Sequence, residues 1–150
     1  MRSLWNEPDR RDLLARFDRL KPDAKAQWGK MSAPQMLTHI GDTLRMTIGA
    51  LKVEPRKTPL RFTPIKQLVI YWVPFIPRNL PTARELQKTL PGAWGDDLRD
   101  VKELARRAVA RYDQPATKWP DHPAFGKLSP RAWGVLGYKH VDHHLKQFGA

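Results

Sequence analysis

Four stretches of this chain repeat apolar residues at every third or fourth position, and the prolines cluster between those stretches. That pattern is the signature of core-facing helices, and no comparable run alternates apolar and polar residues as a strand would. The first helix follows Asn6-Glu7-Pro8, with the stripe Leu13, Leu14, Phe17 and Leu20, and Lys21-Pro22-Asp23 ends it. A second opens at Ser32, where Gln35 three residues on completes a capping box, and is expected to reach about Ala50 through Met36, Leu37, Ile40, Leu44 and Ile48. Residues 96–112 carry Leu98, Val101, Leu104, Ala105, Ala108, Val109 and Tyr112, and Ser129-Pro130 starts the last helix.

The intervening segments are less regular. Residues 52–64 and 115–128 read as loops. Ile65 to Val73 reads equally as a short buried helix or a buried strand, because nearly every residue after Gln67 is apolar. Four prolines punctuate residues 74–92, leaving room for a helical turn or two around Ala83 to Lys88. The expected fold is all-α: one domain over residues 1–150, a four-helix bundle with long proline-rich connections and space for a short extra helix.

Bulk properties narrow the function. Cysteine is absent, which excludes disulfides, thiolate ligands and a cysteine nucleophile. The segment MRSLWNEPDRRDLL has no apolar stretch of signal-peptide length. The longest apolar run, Leu68 to Pro77, is about half of a bilayer span, so a soluble, cytoplasmic protein with no membrane partner is expected. Lys and Arg outnumber Asp and Glu by 27 to 15, a formal charge of +12, which favours anionic partners. The basic residues are scattered, without the tract that marks a nucleic-acid arm, so nucleic acid is not the expected partner. No phosphate-cradling glycine loop and no G-x-S-x-G element occurs, and Ser32 and Ser129 are explained as helix caps.

Three of the five histidines fall within YKHVDHHLKQFG, residues 138–149. With about 100° per residue, and His140 set at zero, His144 lies at about 40° and Trp133 at about 20°, on the apolar face. His143 falls at about −60°, towards the boundary, and Asp142 joins Lys139 and Lys146 on the opposite arc. His39 of the second helix shares its inward side with Met36, Thr43 and Met46. Three imidazoles directed into one core cost about 1–3 kcal/mol apiece unless each finds a partner. A shared cation would satisfy all three, since residues four apart hold their Cβ atoms about 5–6 Å from each other. Against this, an isolated H-x-x-x-H is often coincidental and a single inward histidine is usually a hydrogen-bonded core residue. Val141 follows His140 where a zinc protease would have glutamate. His122, in a loop between Asp121 and Pro123, reads as a turn residue with a minor claim as a fourth group.

The segments MSAPQMLTHIGDTLRM and AWGVLGYKHVDHHLKQFG together resemble the DinB-like superfamily, most closely its branch known as domain of unknown function 1569. The middle of the chain, VPFIPRNLPTARELQ and then HPAFGKLS, is similar to the same branch. The resemblance implies a bundle of DinB-like type, a three-histidine site of His39, His140 and His144, and a divalent ion such as nickel, zinc, iron or manganese. It also implies frequent homodimers and, in some relatives, transfer reactions of low-molecular-weight thiols. The ending His144-Leu145-Lys146-Gln147 departs from the commoner H-R-G-Q, which leaves the substrate class open.

Two functions follow as expectations. One is a metal-dependent enzyme, a thiol transferase or hydrolase, with the thiol brought by a cosubstrate, His143, Asp142 and Gln147 as groups supporting the ligands, and Gly137 leaving space beside the ion or serving close helix packing. The other is a non-enzymatic basic helical module that binds an anionic partner, with Trp72, Phe75 and Trp119 exposed for the purpose.

Overall fold

The chain is described by a computed structural model at residues 1–78, 93–114 and 116–150. Helices α1 (Glu7–Arg19), α2 (Ala33–Thr47), α4 (Trp94–Tyr112) and α5 (Pro130–Gln147) are the four long elements. A short α3 (Thr63–Gln67) runs directly into a π-helical turn (Leu68–Trp72), and a 3₁₀ turn (Pro59–Arg61) precedes it. No strand occurs among the described residues, and the fold is all-α. The expected turns around Ala83 to Lys88 lie outside the described residues.

Local sequence sets the helix starts. Asn6 accepts from the Asp9 amide, with Glu7 and Asp9 placing negative charge against the N-terminal end of the dipole. Both halves of the Ser32–Gln35 capping box form, with bonds of 2.9 and 3.3 Å. Ser129 accepts from the Ala132 amide, and Pro8, Pro34 and Pro130 each sit in a first turn where a missing N–H is harmless.

Helix α2 packs on α4 and α5, and α1 packs on α5. Leu13, Phe17, Met36, Leu37, Ile40, Val101 and Leu145 are almost wholly buried between them, each worth about 1.5–3 kcal/mol in removed apolar surface. The N-terminal segment lies across α5, where Leu4 donates its amide to the Gly134 carbonyl and the Trp5 indole donates to Pro130. Two glycines permit this approach: a Cβ on Gly134 would lie 2.3 Å from Trp5 Nε1, and one on Gly137 would lie 2.5 Å from Leu4. The space that a Gly137 side chain would take is therefore filled by Leu4, so this glycine serves close packing.

The apolar segment from Ile65 to Val73 is helical, and it is not buried as a whole. Ile70 is enclosed, whereas Phe62, Leu68, Trp72 and Phe75 stay exposed. Lys139 of α5 fixes the segment by donating to the carbonyls of Ile70 (2.6 Å) and Val73 (2.5 Å), where the helix ends. Trp119 is half-buried rather than exposed, packed against Trp5 and Trp133 with ring centroids 5.5 and 6.5 Å away. No helix among the described residues is long and apolar enough to cross a membrane.

Candidate metal centre

The facing sides of α2 and α5 bring His39, His140 and His144 together, with one ring nitrogen from each within 4.8 Å of the others. His140 Nε2 lies 3.2 Å from His39 Nε2 and 3.1 Å from His144 Nε2. Three nitrogens bound to one ion at about 2.0–2.1 Å, with angles between 90° and tetrahedral, stand about 2.9–3.4 Å apart, so the two short spacings match a shared ion. His39 and His144 are buried and His140 is half-buried, so the cluster sits at the inner wall of the protein.

The protonation state of His144 follows from its neighbours. Gln147 Nε2 donates to the Trp28 carbonyl at 2.7 Å, which turns its Oε1 towards His144 Nδ1 at 2.9 Å. An amide oxygen only accepts, so Nδ1 carries the proton and Nε2 presents its lone pair to the other two rings. Such an outer partner is the usual device for fixing a ligating imidazole. Burial, followed by the neighbouring His39, pushes His144 down to about 3. Burial and then the charges of His144 and His39 hold His140 well below the ordinary imidazole value. Both rings are thus neutral at neutral pH, the form a cation requires.

The supporting groups divide. Gln147 hydrogen-bonds His144. Asp142 does not reach the rings. It accepts from Arg16 of α1 and from Lys146, each at 2.8 Å, and ties α1 to α5 instead. Burial alone would raise the Asp142 carboxyl, but these two cationic hydrogen bonds lower it overall.

His143 keeps the boundary position that its helical angle gives, and loops cover its outer side. Its ring is half-buried, edge-on to Trp28 at 5.8 Å and to His144 at 5.3 Å, and hydrogen-bonded to the Ile76 backbone. The loop carrying Trp28 and the segment after the π turn cover that side of α5. A helical wheel does not register loops.

Beside the cluster opens a cavity of about 860 Å³ whose walls include all three histidines, His143, Trp28, Phe75 and Trp133. His122 lines it too, but is not among the three converging nitrogens. The role of the Trp28 carbonyl left no trace in the sequence, since it depends on a loop crossing the end of α5.

Residues 5–150 match a family described as Protein of unknown function (DUF1569). The chain belongs to that family. No curated protein and no solved structure matches it. The DUF1569 description assigns no activity, so the chemistry has to be read from the cluster and its cavity.

Proposed function

We propose that His39, His140 and His144 hold one divalent metal ion and that the chain is a metal-dependent enzyme of DinB-like type acting on a small molecule in the adjoining cavity. The observation that carries this reading is His140 Nε2 lying 3.2 and 3.1 Å from the Nε2 atoms of His39 and His144, with the His144 lone pair directed inward by Gln147. Three protein ligands leave open positions, the arrangement of catalytic rather than structural sites. When bound, a divalent ion lowers the pKa of a water or thiol at neutral pH.

The chain's own residues do the rest. His140 and His144 present neutral nitrogens, Gln147 and the Trp28 carbonyl keep one ring in its tautomer, and the adjoining cavity offers a largely apolar wall to the substrate. Because the chain has no cysteine, a reacting thiol would arrive as a low-molecular-weight cosubstrate, and a hydrolase would use water instead. Three imidazoles suit nickel, zinc, iron and manganese alike. The same reading carries a homodimer, which sedimentation at twice 17.4 kDa would support and a monomer would contradict.

The activity test uses untagged protein loaded with each of the four metals, offered thiol–electrophile pairs and ester substrates. Turnover with at least one pairing, abolished by chelation and restored by the metal, is the expected result. Turnover that survives chelation would contradict the reading, as would a protein that neither carries metal from the cell nor takes it up in dialysis.

A further inference from the structure

The cavity has a second polar group that the histidine cluster does not use. His122 begins a tight turn in which its backbone and that of Gly126 exchange hydrogen bonds of 2.9 and 2.7 Å. Gly126, at φ +65°, takes the left-handed conformation that this closure needs. The 56–61 segment anchors the turn: the Arg56 amide and the Arg61 guanidinium donate to the Pro123 carbonyl, and the Thr58 hydroxyl donates to that of Ala124. His122 is therefore held in a turn that hydrogen bonds close at its base and tie to a neighbouring segment.

Its tautomer is fixed from below. Nδ1 accepts from the amides of Ala124 (3.1 Å) and Phe125 (3.3 Å), so the proton of the neutral ring is on Nε2. Burial pushes the ring down to about 4, so it is neutral at neutral pH. Nε2 makes no hydrogen bond among the described residues, and the ring, packed on Phe125 and Trp133 at 5.1 and 5.3 Å, lines the cavity. A protonated Nε2 has no lone pair for a metal. His122 is a donor.

The walls narrow the class of acceptor. Their charged side chains, among the described residues, are Lys30, Arg56, Lys57 and Lys139, with no carboxylate. Apolar groups such as Met46, Leu60, Val69, Phe125 and Leu136 make up much of the remainder. A cavity with apolar walls, a cationic lining and a fixed neutral donor favours a ligand that is both anionic and greasy.

We propose that the cavity binds a small organic acid with an apolar body, and that His122 is the specificity-determining donor, its Nε2–H given to an oxygen of the acid group. The proposal deepens the metal-site reading by naming the substrate class, and its test separates the two. Decanoate, decan-1-ol and decylammonium serve as matched probes, titrated calorimetrically into the untagged full chain, with metal content measured on the same samples.

Decanoate should bind saturably and about ten-fold or more tighter than the alcohol, with the amine weakest. His122→Asn keeps an acceptor near the Nδ1 position for the turn but removes the distal donor. It should weaken decanoate about ten-fold or more, leave decan-1-ol little changed and leave the metal in place. His122→Gln, which returns an N–H near the Nε2 position, should recover part of the loss. Equal decanoate affinity in wild type and His122→Asn, no preference for the carboxylate, or no saturable binding would each overturn the proposal. Wild type that lacks metal yet shows the His122-dependent preference would sink the metal reading alone.

Discussion

His140→Ala is expected to abolish stoichiometric metal binding, lowering affinity by at least about 100-fold. His140 is the hinge of the cluster, since its Nε2 makes both short contacts, to His39 and to His144. Its removal leaves two imidazoles, His39 and His144, with ring centroids 4.9 Å apart, one ligand short of the set of three. The fold should survive, because His140 is half-buried and the core around Phe17, Leu37 and Leu145 is untouched. His143→Ala is the matched control: one helix position from His144 and similar in exposure, it should keep the metal. Equal metal content in the two variants, both folded by circular dichroism, would contradict the assignment.

Metal-free protein should lose stability steadily as pH falls from about 6.5 towards 4. Folded His122 and His144 are pushed down to about 4 and 3, and His140 is held well below the ordinary value of 6.5. Between those values the unfolded chain binds protons that the folded chain refuses, so acid favours unfolding. Stability from these groups is present above about 6.5 and lost as pH drops, with each contributing at most about 1.4 kcal/mol per pH unit. Asp142, lowered by Arg16 and Lys146, acts with the same sign at still lower pH. Thermal midpoints of chelator-treated protein, measured between about pH 7 and pH 4.5, check this. A flat profile, or one as steep after His140 and His144 are both replaced by glutamine, would show that these rings are not the buried neutral groups described.

Helices α1, α2 and α5 are legible from two independent signals, a stripe and a cap, whereas α4, whose N-cap residue Ala93 makes no side-chain bond, is legible from its stripe alone. Helical angle likewise puts His39, His140 and His144 on inward faces, and the three meet in the structure. Where apolar residues were continuous, from Leu68 to Val73, periodicity carried no information. The outcome there rests on Lys139 reaching back to the terminal carbonyls of that turn.

Helical angle gives the sides of His143 and Asp142 but not their partners: the loop bearing Trp28 covers His143, and Asp142 pairs with Arg16 of α1. His122 owes its inward position to a turn closed by Gly126 and anchored by residues 56–61. Loop contacts of this kind join residues distant in sequence and leave no period to detect.

X-ray absorption on the zinc-loaded, untagged chain would examine the ligand set itself. The spectrum should show one shell of light atoms at about 2.0–2.1 Å containing three imidazoles, completed by oxygen from solvent. A shell with one imidazole or none would place the ion elsewhere on the protein and remove the basis for a three-histidine centre.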